Sequence, residues 1–307
     1  MRLVCIALFI CLPAHAQTDA WRALIQQSDA LYQRGWYEQA AIAATKALEV
    51  AERDLGPVHP DVATSLNLLA LVRRASGDYA RAEPLQKRAL AILEQFLGPE
   101  HHSITIAIGN LAELYQAQGR YDEAERAYLR ALANAESALG SHHPNVATWL
   151  NSLAGVYYAQ GRFGDAQPLY ERALAIREKA LGPYNPAVAA SLNNLAALRA
   201  ARGEYAAAEP LYERSLDIAV RRMGETHPAV AVALNNLAGL HGLQGDYAEA
   251  EALYQRALVI LAGALGPDHP DVAGALETLS RLYRATGRQE DARRLAERAA
   301  AIRERHR

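Results

Sequence analysis

One repeat period, the step of 42 positions from Gly35 to Gly77, runs through almost the whole chain and limits its possible folds more than any other feature. Two series of glycines follow this step. The first is Gly35, Gly77, Gly119, Gly161, Gly203, Gly245 and Gly287, and the second is Gly56, Gly98, Gly140, Gly182, Gly224 and Gly266. Seven copies keep this register without an insertion or a deletion. The regularity favours a stacked array of repeats over a single globular domain.

Each copy is predicted to be a pair of helices. In the second copy, Val62, Leu66 and Leu69 are spaced so that they share one face of a helix over 60–76. A second helix is expected over 79–97, and glycine ends both helices. Alanine recurs where the paired helices meet, which allows their axes to approach closely. These alanines are Ala70, Ala112, Ala154, Ala196 and Ala238 on the first helices and Ala82, Ala124, Ala166, Ala208, Ala250 and Ala292 on the second.

The pattern resembles the tetratricopeptide repeat. The matching residues of the fifth copy are Leu195, Ala196, Gly203, Tyr205, Ala208, Tyr212 and Leu216. The length of the unit, together with the sequences His-Pro-Asp/Ala-Val-Ala and Leu-Asn-Asn-Leu-Ala, is similar to the kinesin light chain type of this repeat. The resemblance implies an all-α fold, a right-handed superhelical solenoid of seven helix-turn-helix repeats over residues 17–307.

Residues 1–16 are predicted to be a signal peptide. Arg2 precedes an apolar run over 3–12, and Ala14-His15-Ala16 is a small-x-small cleavage signal. An ordinary first helix and a lipoprotein signal over 8–11 are the alternatives. Cleavage before Gln17 would place the mature protein in the periplasm or outside the cell, with no membrane insertion afterwards. Both cysteines of the chain lie in this segment, so the mature protein would have no thiol or disulfide.

Charge and motifs exclude several classes of function. Removal of the segment takes away Arg2 and no acidic residue, so 31 basic residues face 34 acidic ones, a net charge of −3. The sequence has no stripe of basic residues of the kind that would indicate nucleic acid binding. No nucleophile elbow, phosphate loop, zinc-protease helix or calcium loop occurs, so neither an enzymatic activity nor a cofactor or metal is predicted.

In tetratricopeptide arrays the first helices line the concave surface, and three positions of each first helix share one stripe there. The first series is Asn67, Gly109, Asn151, Asn193, Asn235 and Glu277; the second is Leu71, Glu113, Gly155, Ala197, Gly239 and Arg281; the third is Arg74, Gln116, Tyr158, Ala200, Gly242 and Arg284. Nine of these residues are predicted to bind a peptide: Asn67, Asn151, Asn193, Asn235, Gly155, Ala197, Gly239, Tyr158 and Gln116.

The chemistry of the side chains supports this prediction. An asparagine amide both donates and accepts, so it can pair with the backbone of an extended peptide of any sequence. Gly155, Ala197 and Gly239 leave room beside the amides. By resemblance, the kinesin light chain family uses asparagines of this series to hold cargo peptides, although Gly109 and Glu277 depart from the series. The alternative is that the amides form hydrogen bonds between neighbouring repeats.

Two charged or titratable series also recur with this period. The first is His59, His101, His143, Asn185, His227 and His269, and the second is Arg88, Arg130, Arg172, Arg214, Arg256 and Arg298. Equivalent residues in stacked repeats lie too far apart to share one metal ion, and replacement of histidine by Asn185 favours a role in capping helices. The arginines are expected to form weak pairs with glutamates of neighbouring repeats, the alternative being an anionic surface as partner.

The sequence therefore predicts a non-enzymatic scaffold that binds an extended peptide or a partner protein in a concave groove. The alternative, from a different class, is a structural or assembly protein of the cell envelope whose copies associate with each other. Light scattering at increasing concentration distinguishes the two, because only the second predicts growth in particle size.

Overall fold

The computed structural model describes residues 19–98 and 101–306. Within these residues the chain forms fourteen α-helices and no strand. They are α1 (Asp19–Gln33), α2 (Tyr37–Leu55), α3 (Pro60–Ala75), α4 (Tyr79–Leu97), α5 (His102–Ala117), α6 (Tyr121–Leu139), α7 (Pro144–Ala159), α8 (Phe163–Leu181), α9 (Pro186–Ala201), α10 (Tyr205–Met223), α11 (Pro228–Gln244), α12 (Tyr247–Leu265), α13 (Pro270–Ala285) and α14 (Gln289–Arg305). The predicted signal peptide and both cysteines lie outside the described residues.

Two compact units divide the chain, with the boundary inside α7, between Val156 and Tyr157. In the first unit, α1 packs on α2, α3 on α4 and α5 on α6, and successive pairs stack in chain order. In the second unit, α9 packs on α10, α11 on α12 and α13 on α14, again with successive pairs in contact. The prediction of an all-α solenoid of seven helix-turn-helix repeats is confirmed.

The local signals of the sequence explain where the helices begin and end. The imidazole Nδ1 of His59 accepts a hydrogen bond from the backbone N–H of Asp61 at 3.1 Å, and Oδ1 of Asn185 accepts from Ala187 at 2.9 Å. The predicted capping role of this series is therefore confirmed. Glycine at the helix ends has a left-handed φ, for example +73° at Gly161, which other residues adopt only with strain.

The predicted alanine seam is the centre of the packing. Ala196 and Ala208, from the paired helices α9 and α10, are both fully buried and belong to one cluster with Leu237 and Leu240 of α11. The alanines thus allow close packing within a pair, and larger aliphatic side chains of the next first helix cover the seam. This arrangement brings the first helices of successive repeats side by side, and α9 and α11 are in contact.

The arginine series connects successive second helices at the surface. Arg88 pairs with Glu52 at 2.6 Å, Arg130 with Glu94 at 2.7 Å and Arg214 with Glu178 at 2.6 Å. Each glutamate lies 36 positions before its arginine, in the preceding repeat. The prediction of pairs between neighbouring repeats is confirmed for these three arginines, and such partly exposed pairs contribute little stability each. In the part of the chain that the structure describes, no helix is long and apolar enough to cross a bilayer.

Candidate functional site

The asparagines of the first unit are enclosed in the protein. Asn67 and Asn151 are each only 8% exposed. Nδ2 of Asn151 donates to the backbone oxygen of Ala147, one turn earlier on the same helix, at 3.1 Å. Both polar atoms of the Asn67 side chain are buried without a hydrogen-bond partner among the described residues. A ligand at the surface of this unit would have little access to either amide.

Gly109, which interrupts the asparagine series in the first unit, has a physical reason to be glycine. The indole of Trp149, on α7, lies where a side chain of residue 109 would be. A Cβ atom at Gly109 would fall 2.1 Å from a ring carbon of Trp149, far inside van der Waals contact. Residues equivalent to Trp149 in other copies are small, such as Ser65 and Ala107. The indole of Trp149 therefore occupies the space that an asparagine side chain at position 109 would need.

The remaining predicted residues of the first unit are engaged within the protein or partly covered. Gln116 accepts a long hydrogen bond, 3.5 Å, from the hydroxyl of Tyr128, and Gly155 is half-buried. Two neighbours on the same stripe, Arg74 and Glu113, form an ion pair. In this unit Gln116 and Asn151 thus form hydrogen bonds within the protein, and Asn67 is enclosed.

The second unit presents its asparagines differently. Asn193 on α9 and Asn235 on α11 are only partly buried. The Oδ1 atom of each is buried and accepts no hydrogen bond, whereas the Nδ2 atom of each is not among the buried atoms and donates to no described residue. The accessible part of each amide is therefore its Nδ2 donor, which could donate a hydrogen bond to a carbonyl oxygen outside the chain.

The surface around these amides is uncharged and is formed by small side chains. We define the first-helix face of the second unit by residues of α9 and α11: Asn193, Ala197, Ala200, Asn235, Gly239 and Gly242. A Cβ atom at Gly239 would lie 3.5 Å from the hydroxyl of Tyr254, an ordinary contact, so an alanine would fit there. Larger side chains at this position would project over the face. Tyr158, also in this unit, packs its ring against Phe163 at 5.5 Å between centroids.

A row of tyrosine hydroxyls beside this face was not predicted. Tyr170 and Tyr212 are 4% and 6% exposed. Their hydroxyls form no hydrogen bond with a described residue, yet the hydroxyl oxygens are not fully buried. Burial, followed by the nearby Tyr158, raises the pKa of Tyr212 to about 12 and that of Tyr170 as well. Both hydroxyls therefore remain protonated donors near neutral pH. The periodic series of Gln86, Tyr128, Tyr170, Tyr212 and Tyr254 could have revealed this row.

A small cavity lies at the edge of the face. Its volume is about 70 Å³, and Asn193 lines it together with Ser215, Met223, Val232 and several alanines. The hydroxyl of Ser215 donates to the backbone oxygen of Ala189 at 3.0 Å, so the wall of the cavity is fixed by the pairing of α10 with α9. The space is of a size for a small aliphatic group.

Charge appears only in the last repeat of the stripe in the second unit. Glu277 is neutralised by Arg303 through two hydrogen bonds of 2.7 Å. Arg281 and Arg284 donate to Thr278 and Ser280 and form no ion pair with another described residue. Among residues 19–98 and 101–306, no three His, Cys, Asp or Glu side chains come together as a metal site would require.

The chain belongs to the tetratricopeptide repeat family. The family model matches residues 21–95, 103–179, 149–221, 187–261 and 229–305, which covers most of the sequence. The general role of this fold is protein–protein interaction, and its members are typically non-catalytic scaffolds. Within the family, the chain is similar to kinesin light chain-like proteins.

Solved structures support this placement. BtubC (BKLC) from P. vanneervenii is 27% identical, with a TM-score of 0.57 over 81% of this chain and 94% of that chain. A putative kinesin light chain of Podosopora anserina with nearly identical TPR-like repeats is 29% identical, with a TM-score of 0.55 over 67% and 97%. The apo form of RapI, at 16% identity and a TM-score of 0.67 over 92% and 97%, shares the fold. No curated protein matches the chain.

Proposed function

We propose that the protein is a non-enzymatic scaffold whose first-helix face in the second unit holds an extended peptide segment of a partner protein. One observation carries the proposal: Asn193 and Asn235 lie on neighbouring helices with their Oδ1 atoms buried and unpaired and their Nδ2 donors accessible. Neither amide connects neighbouring repeats by a hydrogen bond to a described residue. The donor of each amide is therefore available to a carbonyl oxygen of a ligand.

The peptide would lie with its backbone carbonyls towards the amides. A carbonyl oxygen of an extended segment is the group that an accessible Nδ2 donor requires, and every residue of a peptide supplies one. Gly239 and Ala197 keep the floor low enough for the backbone to approach. The hydroxyl of Tyr212, whose side chain packs with Ala197 and Ala200 of this face, adds a further donor, since it forms no hydrogen bond with a described residue.

The second unit is the better candidate of the two. In the first unit, the equivalent amides are 8% exposed and the series is interrupted by the indole of Trp149. In the second unit, the first-helix face has no charged side chain between Asn193 and Asn235. A bound segment would therefore not bury an unpaired charge there. Of the nine residues predicted from the sequence, we therefore propose five as the main ligand contacts: Asn193, Asn235, Ala197, Gly239 and Tyr158.

We also propose that the protein works in the periplasm or after secretion. The support is the sequence of residues 1–16, with its apolar run and its Ala14-His15-Ala16 cleavage signal. The partner would then be a protein of the same compartment.

The experiment uses residues 17–307 and a phage-displayed library of random dodecapeptides as the probe. The most enriched peptide is labelled, and its Kd is measured by fluorescence anisotropy. Asn193→Ala should weaken binding by about twofold to twelvefold, the range for loss of one hydrogen bond of about 0.5–1.5 kcal/mol. Gly239→Leu should weaken binding by steric exclusion, while Gly239→Ala, which fits the space, should bind more nearly like wild type.

The control is Arg214→Ala on α10, whose side chain pairs with Glu178 and not with the face. Equal affinity of all four variants for the selected peptide would place its binding site elsewhere on the chain. Failure to enrich any peptide, combined with particles that grow with concentration in light scattering, would favour the self-associating envelope protein instead.

A further inference from the structure

Six first helices begin with the same kind of hydrogen bond. The residue just before each helix accepts a bond from the backbone N–H two positions later. For α3, α5, α7, α11 and α13 the acceptor is Nδ1 of a histidine, at 3.1, 3.2, 3.1, 3.1 and 3.1 Å from the nitrogens of Asp61, Ser103, Asn145, Ala229 and Asp271. For α9 the acceptor is Oδ1 of Asn185.

The histidine caps differ from the asparagine cap in one chemical respect. An imidazole can accept through Nδ1 only while that nitrogen carries no proton, so each cap requires the neutral ring with its hydrogen on Nε2. Acid adds a proton at Nδ1 and removes the bond. It also places a positive charge at the helix end where the macrodipole is positive, which is unfavourable. Asn185 does not titrate, so its cap is the same in acid.

Two of the five caps have an acidic neighbour that offsets the added charge. Oδ2 of Asp61 lies 3.7 Å from Nδ1 of His59, and Oδ2 of Asp271 lies 3.9 Å from Nδ1 of His269. A protonated ring would form an ion pair with either carboxylate. Asp268, next to His269 in the sequence, is already paired with Arg305 at 2.7 Å. We therefore expect α3 and α13 to tolerate acid better than the others.

The caps of α5, α7 and α11 have no such compensation. Within the described residues, no carboxylate lies within 4 Å of His101, His143 or His227. Glu100, which precedes His101, is outside the described residues. Glu225, two positions before His227, lies 3.9 Å from Arg256.

A further histidine crowds two of these caps. His102 interacts electrostatically with both His101 and His143, and its pKa is lowered, first by desolvation and then by these two rings. A positive charge on His101 or on His143 thus makes it harder to charge His102. The stability that follows from a lowered histidine pKa is present above its ordinary value of 6.5 and is lost as the pH falls through the folded value.

We propose that the histidine caps make the repeat array acid-sensitive, so that mild acid loosens the starts of α5, α7 and α11 while α9 stays closed. Each of these three first turns depends on an Nδ1 acceptor that a proton would occupy, whereas the first turn of α9 depends on an amide oxygen. The response lies in the range from about pH 7.5 to 5, where histidine gains its charge.

The test is hydrogen exchange of residues 17–307 at pH 7.5 and 5.0, corrected for the intrinsic pH dependence of exchange. Loss of a cap should raise the local opening equilibrium by about fivefold, within a range of roughly twofold to thirtyfold. We expect this increase in the first turns of α5, α7 and α11 and none in α9. The triple variant His101→Asn, His143→Asn, His227→Asn, which uses the residue that the chain itself has at position 185, should abolish it.

The reverse variant, Asn185→His, should give α9 the acid response. His102→Gln, measured separately, tests whether the response belongs to that ring alone. The proposal is overturned if wild type shows the same acid response in α9 as in α5 and α11. It is also overturned if the triple variant keeps the response, or if His102→Gln alone removes it.

Discussion

Replacement of the buried Arg177 by leucine is predicted to stabilise the second unit. Arg177, on α8, is 4% exposed and donates to the backbone oxygen of Ala187 at 3.1 Å and to the hydroxyl of Ser191 at 2.9 Å. Burial lowers the pKa of its guanidinium from the usual range of arginine to about 10. That difference corresponds to about 3 kcal/mol against the charged side chain in the folded state at neutral pH.

The second repeat shows how the site would rearrange without the arginine. Leu93 takes the place of Arg177 there, and Ser65, equivalent to Ser191, donates to the backbone oxygen of Asp61 at 2.9 Å. In Arg177→Leu, Ser191 can form the same bond to Ala187, so no buried hydroxyl is left without a partner. Loss of the hydrogen bonds of the guanidinium, about 0.5–1.5 kcal/mol each, offsets part of the gain. We expect a net stabilisation of about 1–2 kcal/mol, within the range for replacing a buried charge by a well-packed apolar side chain.

Urea unfolding followed by circular dichroism at pH 7.5 measures the effect, with Arg221→Leu as the control. Arg221 is exposed and pairs with Asp217, so its replacement should change stability by less than about 0.5 kcal/mol. The advantage of Arg177→Leu should shrink above pH 10, because the folded wild type then loses the unfavourable charge. A lower urea midpoint for Arg177→Leu at pH 7.5, or an advantage that grows above pH 10, would refute the reasoning.

Three further predictions concern the fold and the start of the chain. Gly109→Asn should destabilise the first unit by about 1–3 kcal/mol, because the new side chain would collide with Trp149. Adding Trp149→Ala should recover part of this loss, as a double-mutant cycle measured by urea unfolding would show. Additive losses of the two substitutions would count against the clash. A chelator should leave helicity and the thermal midpoint unchanged, because the histidines cap helices; a lowered midpoint would contradict that role. Amino-terminal sequencing of protein recovered from its native host should begin at Gln17, and intact Met1 would argue against cleavage.

The features that recur in most copies of the repeat were accessible from the sequence. The helix pairs, the alanine seam and the capping series each follow from similar residues at equivalent positions, and Asn185 in place of histidine was enough to indicate capping rather than metal binding. Such features depend mainly on local backbone geometry, which each copy reproduces.

The features peculiar to one copy were not accessible. The overlap of Trp149 with the position of Gly109 depends on how one first helix packs on the next, and periodicity gives no such distance. Burial of Arg177 is likewise unpredictable from a series whose other members include Leu93 and Ala219. The sequence indicated an amide series but not which end of each amide is accessible, because side-chain burial decides that.

Site-specific photo-crosslinking tests the proposed binding face most directly. A photoreactive residue is placed at Ala200, on the first-helix face of the second unit, or at Val259, which is exposed on the second helix α12. Each protein is mixed with the selected dodecapeptide and irradiated. We predict crosslinking from position 200 that excess unlabelled peptide suppresses, and none above background from position 259. Suppressible crosslinking from position 259 alone would contradict binding on the first-helix face.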